Sequence, residues 1–546
     1  MTCTTFRSGF DDVDVPATDL PTFFLGGLRA QAQFARSDSP RPVFIDGSAE
    51  GESLTLAQFE QLTRMLASGL HHHVGVRTGD VVLVVLPNSA RYLAVTTAVL
   101  MAGGVCSPAN PAYTAAELAH QLKHAHCRFV VTATATLATV RQALVGYPAV
   151  PLHHVLCIDS KTVDGVRSVT NVLCTQPFPQ MRLHDHATMK RTAAFICYSG
   201  GTTGLPKGVV LSHYNVVANI QQGRHVQAMM HCGERQRTTL AVLPMFHSFG
   251  LVLTAHSLPL CGATLVVMAK FDLHGFLRLV EQHSVTDTLL VPPIINALAK
   301  TPGLAQKYNL SSLRWIVSGA APLSAHTAMA LEQRLPHVRV MQGYGLTETS
   351  PGLALNTPAL CDARSSGPLL PSVEARVLDM HGRSVGPNET GELCFRGPNI
   401  MLGYLDDPEE TARCIDAEGF FHTGDVGFID DRGLVHVTDR IKELIKFNGF
   451  QVAPAELEGI LMQHGLVKDC AVVGVFDEER QTELPRAYIV LSSAEDGEQA
   501  AQHVREWVDA QVAYYKRLRG GCFAIEAIPK TASGKILRRE LRGIVV

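Results

Sequence analysis

The sequence predicts an α/β protein with a large N-terminal domain, a β-rich subdomain and a small α+β C-terminal domain. A chain of 546 residues is longer than one hydrophobic core usually serves, so two or more domains are expected. Apolar runs of strand length alternate with helical stretches over much of the chain, which favours parallel α/β sheets. From about Val373, short alternating strands and glycine-containing turns replace that rhythm.

The N-terminal domain is expected to span residues 1–438. Its first strand is predicted from a β-branched run beginning at Val81, and a helix candidate follows directly. A second helix and strand follow, and further strands come later in the chain. The predicted elements are strands at 81–86, 127–132, 286–291 and 315–317 and helices at 89–102 and 115–126.

The β-rich subdomain is expected at about 373–438 and the C-terminal domain at 439–546, with their boundary at Asp439 and Arg440. Short strands separated by Gly and Asp-Gly turns predict the subdomain, and its strands are placed at 375–378, 391–396, 427–429 and 434–437. The C-terminal domain is predicted to hold helices at 454–464 and 499–517, strands at 470–475 and 487–491, and a basic tail.

Composition excludes several classes of function. The net charge of −3 leaves no electrostatic footprint for nucleic acid. Thirteen cysteines include no Cys-x-x-Cys pair, so neither a zinc clamp nor a dithiol redox site is indicated. Scattered thiols suit a reducing compartment, and neither a signal peptide nor a peroxisomal tripeptide is recognised. We therefore expect a cytoplasmic protein.

One segment invites a membrane interpretation. Residues 238–269 contain no Asp, Glu, Lys or Arg and are long enough to cross a bilayer. Pro244, His247 and Pro259 interrupt the segment, and helix breakers and polar groups are costly at membrane depth. We therefore predict buried strands and a helix here, and no transmembrane segment.

The strongest local signal is the Gly/Ser/Thr-rich stretch at 198–208, which follows an apolar run at 193–197. Glycines let a backbone approach phosphate oxygens, hydroxyls donate hydrogen bonds, and Lys207 supplies positive charge. The stretch fits neither a Walker A loop nor a Rossmann fingerprint, and Cys197 stands where a nucleophile elbow needs glycine. Its residues alone leave two alternatives, a phosphate-binding loop or a flexible surface loop.

Taken with further motifs, the stretch resembles the phosphate loop of the adenylate-forming superfamily, which includes acyl-CoA synthetases, 4-coumarate–CoA ligases, beetle luciferases and peptide-synthetase adenylation domains. The likeness covers nearly the whole chain and is greatest to the coumarate ligase and luciferase branch, through Gly449-Phe450-Gln451-Val452-Ala453-Pro454. The other matching motifs, in the family's order, are Leu243-Pro244-Met245-Phe246-His247, Ser318-Gly319-Ala320-Ala321-Pro322-Leu323, Gln342-Gly343-Tyr344-Gly345-Leu346-Thr347-Glu348-Thr349, Gly391-Glu392-Leu393, Thr423-Gly424-Asp425, Asp439-Arg440-Ile441-Lys442-Glu443-Leu444-Ile445-Lys446 and Pro529-Lys530-Thr531-Ala532-Ser533-Gly534-Lys535.

The resemblance implies a fold of two stacked α/β sheets with a mobile C-terminal domain, and an ATP site with Mg²⁺. Thr347 would contact the α-phosphate, Asp425 would accept from the ribose hydroxyls, and Arg440 would lie near the same sugar. Glu348 and Thr203 would hold Mg²⁺. The residues implied to bind the β- and γ-phosphates are Ser199, Gly200, Gly201, Thr202, Thr203 and Lys207, and those implied to enclose adenine are Gly319, Ala320, Ala321, Gln342, Gly343 and Tyr344.

It also implies the acid and thiol sites. Lys535 would reach the attacking carboxylate and the α-phosphate and stabilise the charge that develops there. His247 would line the acyl and thiol tunnel; a satisfied core histidine is the alternative. Lys442 and Lys446 would flank the acyl-adenylate, and the expected pocket wall is Ser248, Phe249, Gly250, Ala320, Gly345, Pro351, Gly352 and Leu355. CoA is expected at Lys270, Asn448 and Gly449, and the remaining charges of 530–542 are expected on a solvated basic helix.

Three positions depart from the pattern of the coumarate ligase and luciferase branch. Where this chain has Gly200, those relatives often have serine, and where it has Asn448 they usually have lysine. At the position of Phe249, coumarate ligases often have tyrosine. The resemblance still implies that a small-molecule carboxylic acid and ATP give acyl-AMP and that CoA then gives acyl-CoA, with rotation about Asp439 and Arg440 between the two steps. A luciferase-type oxidase and a non-catalytic nucleotide or acyl binder remain alternatives, and the sequence leaves the oligomeric state open.

Overall fold

The computed structural model describes residues 4–34, 41–48, 51–159, 161–199, 206–231, 237–492, 497–531 and 534–544. Its strands, in chain order, are β1 (Phe6–Arg7), β2 (Pro42–Asp46), β3 (Ser53–Thr55), β4 (Val81–Val85), β5 (Val105–Pro108), β6 (Phe129–Thr132), β7 (Val155–Cys157), β8 (Arg167–Ser168), β9 (Ala193–Ser199), β10 (Lys207–Ser212), β11 (Arg237–Ala241), β12 (Ala263–Val267), β13 (Asp287–Leu290), β14 (Trp315–Ser318), β15 (Arg339–Gly345), β16 (Gly352–Leu355), β17 (Glu374–Leu378), β18 (Gly391–Arg396), β19 (Gly403–Tyr404), β20 (Phe421–Ile429), β21 (Val435–Arg440), β22 (Ile445–Phe447), β23 (Phe450–Val452), β24 (Val467–Asp477), β25 (Thr482–Leu491) and β26 (Cys522–Ala524).

Many helices begin at a side-chain cap, as at Thr55 and Thr114, whose hydroxyls accept from the backbone N–H three residues on. Two π-helices, Leu70–Val74 and Phe249–Ser257, also occur. The α-helices are α1 (Leu20–Phe34), α2 (Leu56–Gly69), α3 (Ala90–Met101), α4 (Ala115–His124), α5 (Thr134–Leu144), α6 (His186–Arg191), α7 (His213–Met230), α8 (Leu273–Gln282), α9 (Pro292–Lys300), α10 (Leu304–Lys307), α11 (Ala325–Arg334), α12 (Pro408–Cys414), α13 (Pro454–Leu461), α14 (Gly497–Asp509) and α15 (Arg538–Arg542).

Two eight-stranded sheets form the N-terminal domain. One has the order β19-β10-β9-β5-β4-β6-β7-β8 and the other β16-β15-β14-β13-β11-β12-β2-β3. Most inner pairs are parallel, but β9 and β10 pair antiparallel, and the edge strands β3, β16 and β19 are also antiparallel to their neighbours. One hydrophobic core joins both sheets, for example through Phe195 and Leu265. The predicted α/β fold class is confirmed.

The uncharged segment at 238–269 folds as β11, a π-helix and β12 rather than as one long helix. In the described part of the chain, no helix is both long and apolar enough to cross a membrane. The predicted buried strands and helix are therefore confirmed.

The third sheet, of order β1-β17-β18-β20-β21, is wholly antiparallel. The strands predicted at 427–429 and 434–437 are longer than expected: β20 begins at Phe421 and β21 ends at Arg440. The extension places Asp425 directly opposite Arg440 in the strand register. The two-residue strand β1 was not predicted, because its pairing with β17 joins distant parts of the chain.

The C-terminal residues form their own hydrophobic cores, built only from residues 445–544 around β24, β25, α13 and α14. The helix predicted at 499–517 was too long. α14 ends at Asp509, whose carboxylate accepts from the Leu518 N–H, and a separate 3-10 turn follows at Tyr514–Lys516. This hydrogen bond holds the chain that follows α14 against the end of the helix.

The expected solvated basic helix at 530–542 is wrong. Lys530 pairs with Asp469 at 2.6 Å, Arg538 with Glu458 at 2.7 Å and Arg542 with Glu443 at 2.7 Å. Among the residues of this stretch that the structure describes, only Arg538–Arg542 is helical. Lys530, Arg538 and Arg542 therefore hold the tail against the C-terminal domain, because each of the three pairs with a carboxylate from a distant part of the chain.

Candidate active site

A cavity of about 2100 Å³ lies between the N-terminal sheets and the C-terminal domain. It forms where the ends of several strands and the tail of the chain converge. Many of the predicted site residues line it: Ser199, Lys207, His247, Phe249, Gly319, Ala320, Ala321, Gln342, Gly343, Tyr344, Gly345, Thr347, Glu348, Pro351, Gly352, Leu355, Asp425, Arg440, Lys442 and Lys535.

The phosphate-loop motif connects two paired strands. β9 ends at Ser199 and β10 begins at Lys207, and these two residues are partners in the antiparallel register. The Lys207 ammonium pairs with the Glu410 carboxylate and lies 4.9 Å from the centre of the Tyr404 ring. The predicted ligands Gly200, Gly201, Thr202 and Thr203 lie outside the described residues.

Glu348 lies in the 3-10 turn Thr347–Thr349 at the floor of the cavity. Its Oε1 accepts hydrogen bonds from the Ser199 hydroxyl at 3.1 Å and from the Tyr404 hydroxyl at 3.0 Å. Within the described ranges these two donors leave the second carboxylate oxygen available to a ligand. Carboxylate oxygens suit Mg²⁺, so Glu348 fits the predicted metal role. Ser248 donates to the neighbouring Thr347 hydroxyl at 3.5 Å.

Asp425 is fixed from two sides. The Tyr344 hydroxyl donates to its Oδ2 at 2.6 Å, and Arg440 Nε donates to its Oδ1 at 3.1 Å. Burial raises the pKa of the Asp425 carboxyl, although the Arg440 charge and the Tyr344 hydrogen bond oppose that shift. A buried, oriented carboxylate at a cavity wall can accept from two neighbouring hydroxyls of a sugar.

The residues predicted to enclose adenine include small residues and an amide held by hydrogen bonds. Ala320 has φ +69, and a Cβ on Gly319 would come within 2.9 Å of the Phe249 ring. Gln342 donates through Nε2 to the Ala363 carbonyl at 2.6 Å and accepts at Oε1 from Leu323 N–H at 3.3 Å. These bonds orient the Gln342 side chain at the cavity wall.

Lys535 reaches the cavity from a short turn of the C-terminal domain. The Lys535 N–H donates to the Thr531 hydroxyl at 3.1 Å, Thr531 N–H donates to the Lys535 carbonyl at 2.8 Å, and Gly534 has φ +81. Burial, with the Arg440 charge, lowers the pKa of Lys535 to about 8, while Asp425 and Glu348 act in the opposite direction. The ammonium is therefore within electrostatic range of both carboxylates.

His247 is half-buried at the cavity wall, and its Nδ1 accepts from the Phe249 N–H at 3.3 Å. Burial lowers its pKa to about 4, and the Lys535 charge contributes to the same shift. The imidazole is thus neutral near pH 7, so it offers one donor and one acceptor rather than a positive charge.

Six of the predicted residues that the structure describes do not line the cavity. Ser248 and Gly250 are buried behind it; a Cβ on Gly250 would lie 2.2 Å from the Pro244 carbonyl oxygen. Lys270 and Lys446 are exposed elsewhere. Asn448 and Gly449, with φ +46 and +83, form the exposed turn between β22 and β23, and this backbone suits an Asn-Gly pair.

Sequence analysis missed Tyr404 and Glu410. Tyr404 lies in β19, which pairs with β10 and so brings its hydroxyl to Glu348. Glu410 lies in the first turn of α12, whose cap is Asp407. The Asp-Pro-Glu-Glu run at 407–410 is a helix-start signal and could have placed this helix, but not its contact with Lys207.

Comparison with known proteins finds relatives along nearly the whole chain. The chain is 36% identical over 553 residues to 4-coumarate–CoA ligase 1 of Petroselinum crispum, and the match covers 98% of this chain and 96% of the relative. It is 38% identical over 557 residues to 4-coumarate–CoA ligase 1 of Narcissus pseudonarcissus, and that match covers 99% of this chain and 96% of the relative. The crystal structure of ATP-bound MatB from Rhodopseudomonas palustris superposes with a TM-score of 0.80 at 27% identity, covering 95% of this chain and 98% of that one.

Two family models match the chain as well. The model of the AMP-binding enzyme covers residues 30–405, and that of the AMP-binding enzyme C-terminal domain covers 456–535. The first match alone spans more than half of the chain, which confirms the resemblance to adenylate-forming enzymes. The chain belongs to the AMP-binding enzyme family.

Proposed function

We propose that the protein is an ATP-dependent acid–thiol ligase. In the first step a carboxylate oxygen attacks the α-phosphorus of ATP and displaces pyrophosphate, which gives acyl-AMP. In the second step the thiolate of CoA attacks the acyl carbon and releases AMP, which gives the thioester. The names of the coumarate–CoA ligase relatives and the ATP-bound MatB neighbour support this proposal. The acid is an aryl acid or a medium- to long-chain fatty acid.

The observation that carries the proposal is the position of Lys535. Its half-buried side chain lines the cavity together with Asp425 and Glu348, from a domain other than theirs. A positive charge already held in a site of low polarity stabilises negative charge that develops in the transition state without reorganisation. We assign Lys535 to the attacking carboxylate and the α-phosphate.

The other side chains are assigned around it. Asp425, oriented by Tyr344 and Arg440, holds the ribose hydroxyls, and Thr347 binds the α-phosphate. Ser199 and Lys207 bind the β- and γ-phosphates, together with the loop between them. Glu348, with Thr203, would hold Mg²⁺, which neutralises phosphate charge when bound. His247, neutral at pH 7, lines the acyl tunnel.

The thiol step uses a second arrangement of the C-terminal domain, which we propose to pivot at Asp439 and Arg440. In the present arrangement Asn448 and Gly449 are exposed on their hairpin turn and do not line the cavity. Rotation would withdraw Lys535 and bring this turn to the cavity, where Asn448, Gly449 and Lys270 would contact CoA. Hinge motion of this kind lets one cavity serve two reactions.

Pyrophosphate release tests the proposal. The full chain is incubated with Mg-ATP and a panel of carboxylic acids, with and without CoA. Acid-dependent pyrophosphate and CoA-dependent thioester are the expected results. Acyl-AMP with oxygen consumption would instead favour a luciferase-type oxidase. No pyrophosphate with any acid would favour a non-catalytic nucleotide or acyl binder and would contradict the proposal.

A further inference from the structure

Strands β18 and β20 bring three types of metal-binding side chain together on one face of the third sheet. Glu392 and Cys394 lie two residues apart in β18, and alternate residues of a strand point to the same face. His422 is the direct partner of Cys394 across the pair, so its side chain lies on that face as well. We call Glu392, Cys394 and His422 the Glu-Cys-His cluster.

The ligand atoms of the Glu-Cys-His cluster are close enough to bind one ion. His422 Nδ1 lies 3.4 Å from Cys394 Sγ and 3.2 Å from Glu392 Oε2, and all three atoms lie within 4.8 Å of one another. In a tetrahedral zinc site, bonds of about 2.3 Å to sulfur and about 2.1 Å to nitrogen or oxygen place neighbouring ligand atoms about 3.4–3.6 Å apart. The two separations from Nδ1 are close to that range, so a zinc ion needs only small movements of the side chains.

A hydrogen bond alone does not use the whole cluster. His422 Nδ1 carries at most one hydrogen, which points well at either Cys394 Sγ or Glu392 Oε2 but not at both. Burial, with the charge of Glu392 beside it, raises the pKa of the Cys394 thiol, so the thiol is protonated without a metal. A bound cation takes the place of these hydrogens, which pass to solvent, and contacts all three atoms at once.

Two of the three ligands are held by further contacts. Glu392 Oε1 accepts from the Gly424 N–H at 3.0 Å, which leaves Oε2 directed at the cluster. His422 Nε2 lies 3.6 Å from Asp416 Oδ2, and Asp416 Oδ1 itself accepts from two backbone N–H groups at 2.9 Å. A metal-binding histidine commonly has a carboxylate at its other ring nitrogen. Asp416 is therefore a positioning residue, which orients His422 toward the ion.

The cluster is open to the cavity on one side. Cys394 is buried, whereas the Glu392 and His422 side chains are 24% and 27% exposed and line the cavity. An ion can therefore enter from the cavity, and water can complete its coordination. The charge of Arg376, the partner of Cys394 on β17, is balanced by an ion pair with Glu418.

We propose that Glu392, Cys394 and His422 bind Zn²⁺ at the edge of the cavity. Thiolate and imidazole ligands favour Zn²⁺, whereas Mg²⁺ is bound by oxygen atoms, so this site is distinct from the Mg²⁺ position proposed at Glu348. His422 and Asp425 lie in the same strand. The ion would therefore fix β20 to β18 beside the carboxylate that is assigned to the ribose.

A metal titration of the full chain tests the site. The chain is first freed of metal with a chelator, and Zn²⁺ or Co²⁺ is then added without ATP, Mg²⁺ or acid. We expect one Zn²⁺ per chain to bind with a Kd below about 10 µM, weaker than four-ligand structural sites because only three ligands come from the protein. Co²⁺ reports the ligand type, since a thiolate bound to cobalt gives a charge-transfer band in the near ultraviolet. With no substrate present, the result is independent of the proposed function.

Substitutions locate the ion. Cys394→Ser should remove the cobalt band and weaken Zn²⁺ binding at least about a hundredfold, whereas Asp416→Asn should keep the band and weaken binding about ten- to a hundredfold. Cys361→Ser removes an exposed cysteine and is the matched control, with both readouts unchanged. If Cys394→Ser fails to fold, Glu392→Gln replaces the carboxylate ligand, keeps an oxygen for the Gly424 N–H, and should weaken binding to the same degree.

Thermal melting gives a second readout. An ion that binds only the folded protein raises its Tm, so Zn²⁺ should raise the Tm of the parent and of Cys361→Ser but not that of Cys394→Ser. A cobalt band that survives Cys394→Ser, or Zn²⁺ binding that is equal in all variants, would mean that ions bind other side chains and would overturn the proposal. The absence of any Zn²⁺ binding would overturn it as well.

Discussion

Glu410 holds the ammonium of Lys207. The pair lies beside the Tyr404 ring, and Arg413 Nη1 donates to the second oxygen of Glu410 at 3.0 Å. Lys207, with the adjacent Arg413, keeps the pKa of Glu410 below its usual range. Because Lys207 is also the proposed ligand of the ATP phosphates, Glu410 and the triphosphate compete for one cation.

The first prediction removes this competitor. Glu410→Gln should lower KM for ATP about two- to fivefold and leave kcat nearly unchanged, because a partly exposed ion pair is worth at most about 1 kcal/mol. The measurement is ATP-dependent pyrophosphate release at saturating acid. Glu409→Gln is the matched control, since Glu409 is exposed and pairs only with Arg413 at 3.5 Å in the described protein. A raised KM would show instead that Glu410 orients Lys207 toward the phosphates.

The second prediction separates the two half-reactions. Lys535→Ala should lower the rate of adenylation at least about a hundredfold, the typical loss when one charge-stabilising group is removed. Thioester formation from supplied acyl-AMP and CoA should stay within a few-fold, because Lys535 is withdrawn in that step. Lys530 lies on the same tail segment as Lys535 and pairs with Asp469 of β24. Lys530→Ala breaks that pair and is therefore the control for damage to the tail. Equal loss of both half-reactions would contradict domain alternation.

The third prediction concerns pH. Adenylation needs the charged form of Lys535, whose pKa is lowered to about 8 from a usual value near 10.4. The charged fraction, and with it the adenylation rate, should therefore be full below pH 7 and fall as the pH rises through about 8. Burial holds the His247 pKa at about 4, so that group should add no inflection between about pH 5 and 7. Single-turnover pyrophosphate release measures the profile.

Lys535→Arg is the control for that profile. A guanidinium keeps its charge to high pH, so the fall near pH 8 should disappear even where the absolute rate is lower. If the variant shows the same fall, another group is titrating.

The sequence predicted the N-terminal sheets because their strands are continuous β-branched runs, as at β4 and β6, whose signal is local. It missed β1, a two-residue strand whose only support is Ala375 and Glu374 across the sheet. It also extended α14 past Asp509, because an amphipathic pattern does not show where a carboxylate caps the following turn.

In the site, too, residues with a local sequence signal were predicted, and contacts between distant parts of the chain were not. Most of the residues that the ordered motifs predicted line the cavity, including Lys535 and Asp425 from different parts of the chain. The contacts that tune them were not predictable, since the partners of Lys207 and Glu348 are set by the pairing of β19 with β10 and by the start of α12. The same limit explains the basic tail, whose charges look solvated until their distant partners are known.

The last prediction concerns the contribution of the basic tail to stability, through the ion pair between Arg538 and Glu458. Arg538 Nη2 donates to Glu458 Oε1 at 2.7 Å and its Nε donates to the Val472 carbonyl of β24 at 3.1 Å, with the two charged side chains only 16% and 15% exposed. Glu458 Oε1 also accepts from the Val472 N–H at 2.9 Å. Removing one partner of a largely buried ion pair leaves the other charge buried and unpaired. Arg538→Ala should therefore lower the free energy of unfolding of the C-terminal domain by about 2–4 kcal/mol.

Urea unfolding followed by Trp507 fluorescence measures this change. The chain has two tryptophans, and a Trp315→Phe background leaves only the one in α14, so the signal reports the C-terminal domain. Arg539→Ala is the matched control, because the neighbouring Arg539 is exposed and should change stability by less than about 0.5 kcal/mol. Equal effects of the two variants would mean that Arg538 contributes no more than a surface charge. A selective loss would show that the same segment both presents Lys535 to the cavity and fixes β24, because Arg538 lies three residues beyond the lysine.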